Sequence, residues 1–372
     1  MEFSIEKDVL LRGLSRIQSI VEKRTTIPIL SNVLIEAEEG RIFLTATDLE
    51  VGMRAYYPAS TKTTGKIALS AKKLYEIVRE LPEKEICFKV LENFRMEIHC
   101  EKAVFKLAGI SPEQFPKFPE ADEESSFPVD PKNLKKMLDA TSFSMSTDDS
   151  KYNLNGIFFH SNREDDSSYL SLVATDGHRL ALAKAASGIP AIEQLIKGVI
   201  FPRKGVTELR KIIDDTESDV ILGFSDNNAA ILSNEITLII RLVDGEFPEY
   251  RKVIPDASGP FAVIPREAFL KLVRRVATLA SEKSRGVKIS FSPGQTDVSS
   301  SNPEFGEARE NMEIEYEGDD VSIGFNARYL LDILNSQECE HIRFQMKDNL
   351  SPGLITPLES QDCLAVVMPM RL

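Results

Sequence analysis

The chain has 372 residues, 42% of them hydrophobic and 28% charged, with 19 Gly and 19 Pro; this balance fits two or three folded domains and excludes disorder, collagen-like repeats and a pure coiled coil. A net charge of −13 argues against a protein that simply coats nucleic acid, but not against one whose charges are segregated. No apolar stretch approaches the ~18 residues of a membrane helix, Met1–Asp8 has no basic region leading into an apolar run, and four cysteines without CxxC spacing suggest a reducing, cytoplasmic location with no structural zinc.

The first predicted helix covers 6–24, after a short strand at Phe3, with Leu10, Leu14, Ile17 and Val21 at helical spacing. Asp8 reads as its N-cap. Arg41–Ala46 alternates like a half-buried strand and ends in a polar corner, Thr45-Ala-Thr-Asp48. A helix over 70–80 follows, capped by Ser70, and Ile86–Val90 alternates again. The acidic, proline-rich stretch 115–126 then reads as a join.

Phe127 restarts the plan. A helix over 130–140 has Asp130 as N-cap and Pro131 in its first turn. The corner recurs as Val173-Ala-Thr-Asp176, followed by a helix over 203–213, a strand Val220–Phe224 and a hairpin turn over 224–228. A second join spans 246–256. The third copy has a helix over 265–276 with Pro265 in its first turn, a weaker corner at Ser299-Ser-Ser-Asn302, and a helix over 326–334.

These landmarks recur at 124 and 134 residues, counted from Phe3, Phe127 and Phe261, and at 132 and 124, counted from Leu69, Phe201 and Phe325. Such a period is a domain triplication. The expected fold is α+β: three repeated domains over 1–121, 127–249 and 250–372, each with two helices packed on antiparallel sheets. Like domains joined head to tail either run on or close, and two three-domain chains close a six-domain ring.

The six helical segments hold 20 Lys and Arg against 10 Asp and Glu, which leaves the rest of the chain at −23. A bland account is that helices favour Lys and Arg while loops collect acids. The sharper one is a basic helical surface for duplex backbone, without sequence preference. The absence of Trp disfavours a stacking platform for single strands, and no finger or recognition-helix signature indicates base readout.

Ser70-Ala-Lys-Lys73 and Ser225-Asp-Asn227 match fragments of a serine acyl-transferase, in which Ser70 would be the nucleophile and Lys73 its base. The required K-T-G strand is missing; Lys62-Thr-Thr-Gly65 precedes the serine and has one residue too many. Gly65-Lys66 lacks the rest of a phosphate-binding loop. The pairs Asp148-Asp149, Asp165-Asp166, Asp214-Asp215 and Asp319-Asp320 read as solvated loop ends. His178, near Asp176, has no serine or cysteine partner. No catalytic residue, cofactor or metal site is expected.

Val173-Ala-Thr-Asp-Gly-His-Arg-Leu-Ala181 and Val366-Val-Met-Pro-Met-Arg-Leu372 resemble the bacterial sliding clamp family, the beta subunits of DNA polymerase III. So do Ile27-Pro-Ile-Leu-Ser-Asn32, Tyr152-Asn-Leu-Asn-Gly156, Pro202-Arg-Lys-Gly-Val206, Leu242-Val-Asp-Gly-Glu-Phe-Pro-Glu-Tyr250 and Ile323-Gly-Phe-Asn326, in order from end to end. The resemblance implies a homodimeric, head-to-tail ring of six domains that encircles double-stranded DNA. Such a ring tethers the polymerase III alpha subunit, the clamp loader and other replication and repair proteins, without catalysis of its own. The alternatives from other classes are the acyl-transferase and a monomeric peptide-binding scaffold.

The resemblance also implies sites. A peptide pocket would comprise Leu154, Thr175, Gly177, His178, Arg179, Leu180, Pro248, Val253, Asn326, Tyr329, Val366, Val367, Met368, Pro369, Met370 and Arg371. In it Met and Leu offer an adaptable trough, bordered by His178 and Arg179 as donors. DNA contacts fall to Arg24, Lys72, Tyr152, Arg203 and Lys204. At the dimer seam Phe105 and Leu107 face Thr278 and Leu279, and the basic Lys73 and Arg95 face Glu304 and Glu307. The chain departs from relatives at Lys151, Lys252, Ser284 and Pro352 around the pocket and at Asp148 and Asn153 beside the DNA-contact loop.

Overall fold

The computed structural model describes residues 1–21, 27–119, 125–164, 167–186, 192–216, 218–225, 227–256 and 258–371. Its α-helices among these are α1 (Lys7–Ile17), α2 (Ala71–Glu80), α3 (Pro131–Thr141), α4 (Glu193–Lys197), α5 (Arg203–Asp214), α6 (Arg266–Val276) and α7 (Ala327–Ser336). Six lie where the hydrophobic period put them. α1 ends at Ile17, short of the expected 24, and passes into a turn in which Val21 N still donates to Ile17 O at 3.2 Å. α4 has five residues, too few for a periodic signal.

Strand runs into helix with no intervening loop, which moves two expected caps. Glu6 holds the N-cap position of α1, so Asp8 lies inside the first turn, where a carboxylate suits the helix dipole. Pro265 likewise holds the N-cap position of α6 rather than its first turn. Ser70 does cap α2: its Oγ accepts from Lys73 N at 3.4 Å.

The chain divides into two compact units, which do not follow the three repeats. The first combines Met1–Pro131 with Thr207–Leu242. It holds a 13-stranded antiparallel sheet, continuous because Ile236–Arg241 of the middle repeat pairs with Val51–Pro58 of the first, Ile236 opposite Ala55 and Ile240 opposite Val51. α1 lies close on this sheet at Gly13, where a Cβ would come within 2.8 Å of the Tyr57 ring and 2.9 Å of Leu44. Glycine costs helix stability, and here the cost admits the close approach. Toward the other end of the sheet, Ala103–Ile110 pairs with Arg95–Cys100 along its length but reaches Gly65–Ser70 only at Gly109 and Ile110. Its first six residues therefore present an open edge.

The second unit combines Lys132–Val206 with Val243–Leu372. Its eight-stranded sheet joins the middle repeat to the third, because Arg179–Ala186 pairs with Cys363–Val367. A separate four-stranded sheet ends in Gly306–Glu313, which among the described residues pairs only with Gln295–Asn302. A core of Phe269, Phe291, Phe325 and Phe344, all fully buried, joins α6 and α7 to these strands. Each such ring contributes roughly 1.5–3 kcal/mol by leaving water.

His160 is buried in this unit, 6% exposed, with its Nε2 2.8 Å from the Tyr250 hydroxyl. Burial, and then the Arg251 charge, lowers its pKa from 6.5 to about 4. Between those values the unfolded chain takes up a proton that the folded chain refuses, so this contribution to stability is lost as pH falls from 6.5 toward 4. His160→Gln keeps an acceptor for Tyr250 and removes the titration. Urea unfolding across this window should show the parent losing on the order of 3 kcal/mol more than the variant; parallel losses would refute the assignment.

Candidate functional site

The corner 175–179 is built by its own side chains. Asp176 Oδ1 accepts from the backbone N–H of His178 at 2.9 Å and of Arg179 at 3.0 Å. Thr175 Oγ1 accepts from Gly177 N at 3.1 Å and donates to Arg179 O at 2.6 Å. Gly177 has φ +89°, a conformation that only glycine adopts without strain. Lys151 Nζ reaches Asp176 O at 3.4 Å.

Arg179 is the hub of this corner. It donates to Asp176 Oδ2 at 3.1 Å, to Asp332 Oδ2 on α7 at 2.6 Å and to Phe143 O beyond α3 at 2.6 Å. Its guanidinium lies 4.5 Å from the Tyr329 ring centre and 5.3 Å from that of Phe143. Only 8% exposed, it is a pin within the unit and not the bordering donor the sequence suggested. Asp332 and Phe143 were missed. Asp332 lies three residues beyond Tyr329 on one helix face, so that partner had a local signal; Phe143 had none.

His178 is exposed, its ring 6.4 Å from that of Tyr329 and tilted by only 17°. Burial, and then the Asp176 charge, raises the Tyr329 pKa above its usual 10.0, which keeps the phenol neutral. The chain's last segment runs past this pair. Met368 N donates to His178 O at 2.9 Å, and Met370 N to Gly324 O at 2.8 Å. Met368 is 40% exposed, whereas Val366 and Leu180, paired across the strands, are buried. They form a floor with Tyr250 and Leu354, against which Phe247 and Ile254 pack. The stretch between Phe247 and Ile254 carries Pro248 and Val253, both exposed.

Other expected pocket residues lie in varied surroundings. Val367 alternates to the opposite face from Val366 and is fully buried in the core under α7. Asn326 Oδ1 accepts from Arg328 N at 3.0 Å and caps α7. Leu154 is half-buried, and its carbonyl accepts from Ser146 N at 2.9 Å. Pro369 is half-buried and Arg371 exposed beside the Met370 bridge. Lys252 pairs with Glu249.

Of the expected DNA contacts, Arg24 lies outside the described residues. Lys72 and Tyr152 are exposed, and Lys204 is half-buried. Arg203 is half-buried, and its Nη2 donates to Ser146 O and to Asn155 Oδ1 at 3.2 Å, holding the loop that carries Tyr152. In that loop Asp148 accepts from Ser150 N and Oγ, which lowers its pKa. Around the described helices the exposed residues include Lys72, Lys73, Arg79, Lys271, Arg274 and Arg275. At the expected seam, Phe105, Arg95, Glu304, Glu307 and Thr278 are exposed and Leu107 and Leu279 half-buried. Thr278 donates to Arg275 O at 2.7 Å.

The acyl-transferase geometry is not present. Ser70 Oγ serves the helix cap, and Lys73 Nζ pairs with Glu76 at 2.8 Å instead of facing the serine. Burial raises the pKa of all four thiols, that of Cys363 to about 11, so none is poised as a nucleophile at neutral pH. Among the described residues no group of three His, Cys, Asp or Glu is placed to hold a metal ion.

Arg179→Ala should remove the pin and leave Asp176 with only its backbone donors and Asp332 with only the longer Arg328 pair at 3.9 Å. The expected cost is about 3 kcal/mol, read by urea unfolding. A loss under about 0.5 kcal/mol would mean that the corner holds itself.

Family models of the DNA polymerase III beta subunit match along the chain: the N-terminal domain at 1–119, the central domain at 128–249 and the C-terminal domain at 251–371. The beta sliding clamp of Caulobacter vibrioides (strain NA1000 / CB15N) is 36% identical over 374 residues and that of Escherichia coli K12 is 34% identical over 375, each alignment covering 100% of both proteins. A sliding clamp from Bartonella birtlesii, solved bound to griselimycin, superposes with a TM-score of 0.94 at 35% identity, and the DNA polymerase III subunit beta of Pseudomonas aeruginosa with 0.93 at 34%, again over 100% of both chains. Full-length identity above 30% and three domain models in chain order show that the chain belongs to the beta sliding clamp family, the beta subunits of DNA polymerase III.

Proposed function

We propose that two copies of this chain join head to tail into a ring around duplex DNA and tether the replicative polymerase to its template. The ring acts by topology, without catalysis of its own, in the cytoplasm. Its three domains correspond to 1–121, 127–249 and 250–372.

The observation that carries the ring is the pair of open strand edges, Ala103–Ala108 in one unit and Gly306–Glu313 in the other. Exposed sheet edges invite pairing with another chain. Joining the first edge of one copy to the second edge of its partner is a heterologous contact, and made twice it closes. Phe105 and Leu107 supply the apolar part of this seam with Thr278 and Leu279, while Lys73 and Arg95 face Glu304 and Glu307. Opposite charges at the rim favour this pairing over the reverse.

DNA is held loosely through phosphate by cations such as Lys72 and Lys204, with Tyr152 and Arg24 as further contacts. Arg203 contributes by fixing the loop of Tyr152. An acidic remainder limits tight wrapping, so the ring slides. Partner proteins, including polymerase III alpha and the clamp loader, dock a short peptide in the trough. Leu180 and Val366 form its floor, and His178, Pro248, Val253, Tyr329, Met368 and Met370 its walls. Methionine there adapts to aliphatic or aromatic anchors.

Loaded onto nicked circular DNA by its loader and ATP, the parent should remain bound at salt that abolishes ordinary backbone binding, and linearising the circle should release it. Leu107→Asp places a charge in the seam; it should sediment as a folded monomer and fail to be retained. Equal retention on linear and circular DNA would refute the ring, and an unchanged dimer of Leu107→Asp would refute this seam.

The trough is tested by deleting Met368–Leu372, which leaves the strand Cys363–Val367 in place. Affinity for a labelled peptide with leucine and phenylalanine anchors should fall at least about thirtyfold, or ~2 kcal/mol, by fluorescence anisotropy. The dimer should persist in sedimentation. Unchanged affinity would mean that the tail is structural filler.

A further inference from the structure

A cavity of about 710 Å³, lined in part by Tyr250, Arg251 and Ile254, opens on the face of the eight-stranded sheet that carries Leu180 and Val366. Its size falls in the ordinary range for ligand sites. Leu182, Leu364, Leu354 and Ile254 give it an apolar base. Its charged lining is Lys184, Arg251 and Arg343 against one carboxylate, Glu359, in a chain whose net charge is −13.

The two arginines are held by neutral groups. Arg251 donates to Asn162 Oδ1 at 2.7 Å. The Arg343 guanidinium lies 4.7 Å from the Phe261 ring centre, and its buried Nε has no hydrogen-bond partner among the described residues. Neither forms an ion pair with a carboxylate among those residues. Guanidinium forks preset in this way match carboxylates in geometry and charge.

The cavity also continues the trough. Leu180 and Leu182 are two residues apart on one strand, and Val366 and Leu364 on its neighbour, so each pair shares a face at about 7 Å separation. The first member of each pair floors the trough and the second lines the cavity. Leu354 belongs to both. A chain leaving the trough crosses that distance in two or three residues at ~3.3 Å each.

We propose that this cavity is a second subsite that binds an acidic, extended segment flanking the anchor of the partner peptide. The proposal rests on the trough reading above. It makes partner choice depend on charge beside the anchor as well as on the anchor itself.

The test uses the full chain and the labelled leucine–phenylalanine peptide, extended at either end by four glutamates or by four glutamines. Glutamates at one end should tighten binding roughly tenfold, about 1.4 kcal/mol, and glutamines should not. The gain should vanish in the Arg251→Gln/Arg343→Gln double variant, which should bind the unextended peptide as the parent does. Lys184→Gln, as a milder variant, should reduce the gain. If the unextended peptide binds but the glutamates add nothing over glutamines, or if the gain survives in the double variant, the subsite is refuted and the trough stands. If the unextended peptide does not bind, the trough reading falls and this proposal falls with it.

Discussion

Antiparallel pairing between repeats is the constraint on which the rest depends. In the second unit, Arg179–Ala183 pairs with Val367–Cys363, and this one register decides what each side chain faces. Leu180 and Val366 fall on the face packed by Tyr250 and Leu354, while Val367 falls on the core face beneath α7. A shift by one residue would exchange these faces. It would bury the polar continuation at Lys184 and expose valines. The same pairing brings the tail past the 175–179 corner, so that Met368 meets His178 through a backbone hydrogen bond.

The corner shows how a rigid site is made from common residues. Asp176 and Thr175 satisfy the turn's own backbone, and Arg179 then links it to two helical segments. The arginine is expensive to bury and is stabilised only because two carboxylates, a carbonyl and two aromatic faces surround it. Its reward is geometric: the exposed His178 and the half-buried Tyr329 stand on a base tied down by these bonds. Binding at such a site loses less conformational entropy.

A clamp needs two opposed qualities. Its seam and its partner site must be specific, and its grip on DNA must not be. The chain separates these by element. Phe105 and Leu107 stand on one strand edge and Met368 and Met370 on the tail, whereas exposed cations such as Lys72, Arg79, Lys271 and Arg274 stand on the helices. Such cations bind phosphate without reading bases. The acidic remainder adds a background that discourages other nucleic-acid contacts.

The triplication, six helices, the antiparallel pairing of Val220–Ser225 with Asn228–Ser233 and the role of Ser70 were legible because each is a local pattern: apolar period, alternation or a cap. The family followed from short motifs in order. The segregation of charge by element is likewise legible, because it needs only the helix positions and a count of charged residues. What the sequence did not decide is where each repeat ends as a compact body, because strand pairing between repeats joins residues about 185 positions apart, such as Arg54 and Thr237, and no local period records a register. Nor could it tell a binding arginine from a structural one. Arg179 and Arg203 both sit in motifs shared with the family, yet the carbonyls and carboxylates that occupy them come from Phe143, Asp332, Ser146 and Asn155. A charged side chain becomes a pin or a contact only when the fold brings, or withholds, a partner for it.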